Sequence, residues 1–135
     1  MADTFELEIA TPERLLIRAT VKEAEIPAAN GYIGVLPEHS PLLAELGTGE
    51  MWYVMPNGTR KYLAVDGGWV EVAPDRVRVL ATHAEKADEI DAGRAQASLE
   101  RARERLAHPE LGVDIARALN SLKRAQARLE ATGHR

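Results

Sequence analysis

Cysteine is missing from the 135 residues, and aromatic side chains are few: one Phe, two Trp and three Tyr. Without thiols there is no disulfide, no cysteine nucleophile and no thiolate metal site, a composition that fits a reducing compartment. No apolar run reaches the roughly 18 to 20 residues needed to span a bilayer. The first residues carry acids where a secretory signal carries bases and an apolar stretch, so export directed by this segment is not expected. Catalytic signatures are scarce too: there is no Gly-rich loop opening a helix with Lys, no Ser-His-Asp order and no pair of carboxylates in an apolar setting. An enzyme is therefore the least supported class.

Enough is present to fold. Apolar residues make up 45% of the chain, sufficient for one domain or two small ones. Their kinds are unevenly distributed. Every aromatic residue, seven of ten Gly and six of seven Pro precede Lys86, whereas eleven Ala and eight Arg follow Glu85. Bulky core material and turn chemistry thus belong to a body over 1–85, and the remaining 86–135 form an arm poor in large apolar groups. The formal charge of -4 hides the same division: 13 acids against 7 bases before the break (net -6), and 8 against 10 after it (net +2). So weak and interleaved a basic excess does not describe a nucleic-acid tail, but it suits an acidic partner or a phosphate ligand.

The body reads as strands. Phe5, Leu7 and Ile9 alternate with Glu6 and Glu8, and Leu15, Ile17, Ala19 and Val21 alternate with polar residues, the period-two signature of a sheet with one wet face. Further runs cover Tyr32 to Leu36, Leu42 to Leu46, Met51 to Met55, Lys61 to Val65, Trp69 to Ala73 and Arg76 to Ala81. Turn residues at this spacing predict two packed antiparallel sheets, with Asn57-Gly58 and Asp66-Gly67 as tight hairpin turns. Trp52 and Trp69 are expected as core anchors, with one of them exposed at a partner contact as the alternative.

The arm reads as a helical hairpin. Asp88 is placed to cap a first helix over about 88 to 107, with Asp91 in its first turn and Ala95, Leu99, Ala102 and Leu106 along one face. His108-Pro109-Glu110-Leu111-Gly112 interrupts it, and a second helix begins at Asp114 with Ile115, Leu119, Leu122, Ala125 and Leu129 facing inward. The class is therefore α+β: an N-terminal antiparallel β-sandwich followed by an antiparallel two-helix hairpin. With so few large residues on its inner face the hairpin should hold to the body only modestly and be able to detach.

Two groups of residues invite a functional reading. Gly31 and Gly34 bracket Ile33, and Pro37 and Pro41 restrict the backbone on either side of Glu38, His39 and Ser40, so Ile26 to Leu43 forms a stiff, shaped loop. Such a loop is either a docking surface or a buried turn between sheets. Glu38-His39 does not make a metal or catalytic site, since a metal needs three or four converging ligands and His83, His108 and His134 lie elsewhere. In the arm, Asp91, Arg94, Ser98, Arg101 and Arg105 share one helical face, and Arg117, Ser121, Arg124 and Arg128 another. Folded together, these faces can converge planar guanidinium groups suited to phosphate oxygens. A solvated charged face, with Asp91 merely favoured near a helix N-terminus, is the other reading.

Residues Ile26-Pro27-Ala28-Ala29-Asn30-Gly31-Tyr32-Ile33-Gly34-Val35-Leu36-Pro37-Glu38-His39-Ser40-Pro41-Leu42-Leu43 resemble the signature of the ε subunit of the bacterial F-type ATP synthase. The opening Phe5-Glu6-Leu7-Glu8-Ile9-Ala10-Thr11-Pro12-Glu13, the Val65-Asp66-Gly67-Gly68-Trp69-Val70-Glu71-Val72 strand and Asp88-Glu89-Ile90-Asp91 extend the likeness along the chain. The resemblance implies a non-catalytic subunit of the central rotor that couples proton flow to ATP synthesis. Its body would dock on the γ subunit and the ring of c subunits through Tyr32, Ile33, Gly34, Val35, Pro37, Glu38, His39, Ser40, Pro41 and Leu42. Its hairpin would extend to inhibit ATP hydrolysis, contacting γ and the α/β catalytic subunits. The protein would lie on the cytoplasmic face of the bacterial plasma membrane, peripheral and held there only through the complex. Neither nucleic acid nor a required cofactor is implied.

Ile90-Asp91-Ala92-Gly93-Arg94-Ala95 is similar to the motif by which some ε subunits bind ATP in the folded-down state. The accompanying positions are matched by Glu85, Arg101, Arg124 and Arg128, which makes ATP a candidate regulatory ligand. A free-standing nucleotide-binding sensor, a sandwich with a helical lid, is the alternative function; it would be complete alone, whereas a rotor subunit would copurify with the synthase.

Overall fold

The computed structural model describes residues 3–109 and 112–134. Among these, eight strands form one sheet that folds on itself: β1 (Phe5–Ala10), β2 (Leu15–Val21), β3 (Glu23–Ala28), β4 (Gly31–Val35), β5 (Leu42–Glu45), β6 (Thr48–Val54), β7 (Arg60–Val72) and β8 (Arg76–Lys86). A 3₁₀ turn at Ala87–Glu89 leads to α1 (Ala92–Ala107) and α2 (Ile115–Thr132). The strand order is β2-β1-β8-β7-β6-β3-β4, with β5 also on β7. All these pairs are antiparallel except β1 with β8, which is parallel, a correction to the uniformly antiparallel sheets expected.

The layers are made by one long strand that changes partners. β7 pairs with β6 from Arg60 to Asp66 and with β5 from Trp69 to Val72. Asp66-Gly67 is therefore not a hairpin turn, as its sequence suggested, but the bend of a 13-residue strand. Gly67 and Gly68 have φ of 70° and 113°, and a Cβ at Gly68 would overlap the Leu80 carbonyl oxygen, so the chain needs glycine there. Opposite it, Gly47 breaks β5 from β6 at the same corner, and Gly67 N–H donates to the Gly47 carbonyl at 3.1 Å. Asn57-Gly58 does close the β6–β7 hairpin, with Gly58 at φ 89°.

Period-two patterning fills the space between layers. Phe5, Leu7 and Ile9 of β1 are buried, as are Val70, Val72, Val77 and Val79 from one layer and Ile26, Met51, Tyr53, Leu63 and Val65 from the other. β3 escaped the sequence reading because Pro27 sits inside it, yet Pro27 pairs with Tyr32 in a regular β3–β4 hairpin. Trp69 is not a core anchor but 53% exposed, the alternative left open for one of the two Trp, and Trp52 is half-buried beneath the Arg60 guanidinium, 4.0 Å from its ring centroid.

Helix α1 starts later than its sequence suggested. Asp91, not Asp88, is the N-cap, accepting from the Arg94 backbone N–H at 3.0 Å, and Asp88 lies in the 3₁₀ turn. Asp114 caps α2 in the same way, accepting from Arg117 N–H at 3.0 Å. Of the interruption between the helices, Glu110 and Leu111 lie outside the described residues. α2 packs between α1 and strands β6 and β7. Its buried residues are all alanines, Ala118, Ala125, Ala127 and Ala131, whereas Ile115 and Leu119, expected inward, are 40% and 42% exposed. Small side chains let the helix approach closely, and the bulkier ones near its start remain in solvent.

Candidate functional site

The seam between α2 and the sheet gathers part of the arginine set. Ala127 and Ala131 pack with Ala64 and Ile90 in a cluster separate from the sandwich core. Beside it, β8 presents Glu85 and α2 presents Arg128, whose Nε donates to Glu85 Oε1 at 2.6 Å. One turn earlier, Arg124 Nη1 lies 3.8 Å from Asp66 Oδ2 and Nη2 donates to Ser121 Oγ at 3.2 Å. Asp66 also accepts from Thr48 Oγ1 at 2.6 Å and faces His83 Nδ1 at 3.5 Å. Two acids of the body thus meet two bases of the arm. The hollow they line with Ala64, Ala84 and Ala127 holds about 20 Å³, room for a water and not for a nucleotide.

The rest of the expected ATP set is placed differently. Arg94 and Arg101 are exposed on α1, and Arg101 Nη2 donates to Ser98 Oγ at 3.0 Å. Asp91 serves as the cap, Ile90 is buried under α2 and Ala95 is buried on the inner face of α1. In this state the fold brings together Glu85, Arg124 and Arg128 and leaves Arg94 and Arg101 in water.

The candidate docking segment is mostly strand, with Leu36 to Pro41 as its loop. Tyr32 is exposed on edge strand β4, with its hydroxyl against Gly49, where a Cβ would come within 2.8 Å of it. Burial raises the Tyr32 phenol above its ordinary value, with Glu130, Glu50 and Glu25 adding to the rise and a backbone hydrogen bond at Glu50 opposing it. Ile33, Pro37 and His39 are half-buried; Gly34, Ser40, Pro41 and Leu42 are exposed. Val35 is in the core and anchors the segment rather than facing outward. Glu38 takes a left-handed φ of 66° and donates its N–H to the Pro74 carbonyl at 2.8 Å, while His39 Nδ1 lies 2.7 Å from the Ser40 carbonyl oxygen.

A second apolar surface was missed by the sequence reading. Trp69 pairs with Leu80, Leu80 with Ala10 and Ala10 with Leu15 across four strands. These three large residues are each more than half exposed, as is Leu43 on β5. The sequence signals were Leu80, an apolar residue out of phase between Val79 and Ala81, and Trp69, out of phase with Val70 and Val72. A row of this kind on a folded surface is a candidate contact with another molecule.

The chain resembles known proteins over nearly all of its length. Residues 4–87 match the family model described as the ATP synthase delta/epsilon chain β-sandwich domain, and residues 88–133 match that of its long α-helix domain. The ATP synthase epsilon chain of Solibacter usitatus is 54% identical over 129 residues, covering 96% of both chains. That of Moorella thermoacetica is 42% identical over 130 residues, covering 96% of this chain and 97% of the relative. In fold, the chain is similar to one from the Euglena gracilis mitochondrial ATP synthase, solved as an OSCP/F1/c-ring assembly, with a TM-score of 0.84 at 24% identity over 99% of this chain and 84% of the other. Two successive family matches and bacterial relatives of this identity show that the chain belongs to the ATP synthase delta/epsilon chain family.

Proposed function

We propose that the helical hairpin of this epsilon chain is a detachable brake on ATP hydrolysis. An epsilon chain is a non-catalytic subunit of the synthase's central stalk. The observation that carries the brake is the composition of the α2 seam. Burial contributes about 0.8 kcal/mol per CH₂, so alanines such as Ala127 and Ala131 hold far less than leucines would. The ion pairs at Glu85 and Asp66 are part-exposed, and such pairs contribute at most about 1 kcal/mol each. The body keeps its own core when the arm leaves.

The body is the anchored part. The Tyr32–Leu42 segment and the Trp69–Leu80–Leu15 row give it two apolar surfaces, suited to the γ subunit and the c-ring. No helix among the described residues is long and apolar enough to cross a membrane, and the association with the membrane is through the complex, here assigned to the cytoplasmic face. ATP is the proposed regulatory ligand of the compact hairpin, held by Arg94, Arg101, Arg124 and Arg128 with Asp91 and Glu85 nearby. A triphosphate would have to open the Arg124–Arg128 hollow and draw in the α1 arginines. The test of the brake is a chain ending at Lys86, assembled into the synthase. Coupled synthesis should persist and ATP hydrolysis should rise; unchanged hydrolysis would refute the brake.

A further inference from the structure

The turn that follows α2 carries a feature that neither ATP nor rotor docking uses. His134 stacks on Tyr62 of β7, with ring centroids 3.8 Å apart and planes 7° from parallel. Its Nε2 lies 3.1 Å from Glu50 Oε2 of β6, a carboxylate oxygen that is fully buried. Glu50 stands among other acids: Glu25 from β3 and Glu130, one turn before His134 on α2, both act on it. Burial raises the Glu50 carboxyl, Glu130 and Glu25 push the same way, and His134 opposes them. Tyr32 of β4 faces the same three carboxylates. On the other side, Arg60, Lys61, Lys86 and Asp88 share with His134 the wall of an open hollow of about 380 Å³.

Docking α2 therefore brings Glu130 toward two carboxylates of the body, and His134 is the cation that lies against Glu50. We infer that His134 is a pH-sensitive latch that holds the hairpin on the sandwich through Glu50 and Tyr62. The inference rests on the reading that the hairpin detaches, but it is independent of ATP. Histidine is the side chain whose charge ordinarily changes between pH 5 and 8. As an imidazolium, His134 attracts Glu50 and stacks its charge on the Tyr62 face. Once neutral it leaves the Glu130–Glu50–Glu25 repulsion uncompensated. The sign follows: docking is favoured on the acid side of the imidazole titration and weakened as pH rises through it. Acidification far enough to protonate Glu50 removes the ion pair but also the repulsion, so release belongs to the alkaline limb. In the synthase, alkalinisation around the stalk would free the brake.

The full-length chain has no cysteine, so two can be introduced on exposed positions, Glu71→Cys on the body and Gln126→Cys on α2, and spin-labelled. Pulsed distance measurements across pH 6 to 8.5 should show the open population rising about two- to fivefold, the scale of a half-exposed ion pair. His134→Gln should fix the population near the alkaline value at every pH, and Glu50→Gln should flatten the profile. Ala131→Glu, which forces a charge into the seam, serves as the opening control. A parent chain that responds to pH no differently from His134→Gln, while Ala131→Glu opens, overturns the latch and leaves the mobile hairpin standing. If Ala131→Glu does not open it either, the detachable hairpin falls together with the latch.

Discussion

Arg128 Nε and Glu85 Oε1, 43 residues apart in the chain, lie 2.6 Å apart across the seam between helix and sheet. This tie is specific to the compact state, because it joins the last strand of the body to the second helix of the arm. Both side chains are about one-third exposed, so solvent discounts the pair. Arg128→Ala and Glu85→Gln should each weaken hairpin docking, and a double-mutant cycle should give a coupling of about 0.5 to 1 kcal/mol. Thermal unfolding of the four chains measures it; zero coupling would mean that the two groups do not interact in solution.

The glycine corner makes a sharper prediction. At Gly68, φ of 113° and the Leu80 carbonyl leave no place for a side chain. Gly68→Ala should cost about 3 kcal/mol or more, since backbone strain alone contributes about 1 to 3 kcal/mol. Gly34→Ala, with nothing near the added methyl, should stay within about 1 kcal/mol. Urea denaturation followed by tryptophan fluorescence separates the two outcomes.

Docking can be tested without unfolding the body. Trp69 and Leu80 are more than half exposed, so Trp69→Ser and Leu80→Ser should change stability by at most about 0.5 kcal/mol. If their row is a rotor contact, each should weaken binding to the stalk by about 1 kcal/mol or more, as buried interface anchors do. Copurification with γ and the c-ring checks this, and undiminished recovery of the Trp69→Ser, Leu80→Ser double variant would exclude the row from the interface.

The acid limb of stability has an identifiable contributor. Arg14 Nη2 donates to Glu89 Oε2 at 2.7 Å, tying the β1–β2 turn to the 3₁₀ turn before α1. That hydrogen bond holds the Glu89 carboxyl below its ordinary value, against a smaller opposing effect of burial and with further help from the charges of Arg14 and Lys86. A carboxyl more acidic folded than unfolded adds stability above its unfolded value and loses it as pH falls through the folded one. Arg14→Ala should therefore remove part of the stability change between about pH 5 and pH 3 and leave the slope above pH 6 unchanged, as read from melting temperatures.

Local periodicity made much of this fold legible, and the misreadings share one cause. Phe5, Leu7 and Ile9 declare a strand because each choice of face repeats every second residue. Asp66-Gly67 and Asn57-Gly58 carry the same local turn chemistry, yet only the second turns the chain back. What separates them is the partner across the sheet, since Gly67 meets Gly47 at the corner, and that contact is not local in sequence. Trp69 misled for a similar reason: its strand neighbours Val70 and Val72 point inward, so phase alone places it outside, whereas size suggested the core. The arginine set was legible as a helical face. That Arg124 and Arg128 would meet acids of the body, while Arg94 and Arg101 would not, depended on which helix lies against the sheet.

The last prediction concerns ATP. The hollow beside Arg124 and Arg128 holds about 20 Å³, so a nucleotide seated in it is expected to displace Arg128 from Glu85. Binding should therefore shift the Arg128 Nε–H resonance away from its position in the free chain, while Arg94 and Arg101, exposed beforehand, should become protected. Arg94→Ala and Arg101→Ala should leave the nucleotide-free chain within about 0.5 kcal/mol of its parent, but each should weaken ATP roughly ten- to a hundredfold, the loss of a charge-assisted hydrogen bond of about 1.5 to 3 kcal/mol. Because a ligand shifts an equilibrium only by its differential affinity for the two states, ATP should favour the compact hairpin and ADP, with one phosphate fewer, should do so less. At about 100 times its dissociation constant, ATP would stabilise that state by about 2.7 kcal/mol, visible as a higher melting temperature of the arm. Calorimetric titration of the full chain measures the affinities. If millimolar ATP moves neither the arginine resonances nor the melting, these side chains are a solvated face and the pairs at Glu85 and Asp66 only hold the arm in place.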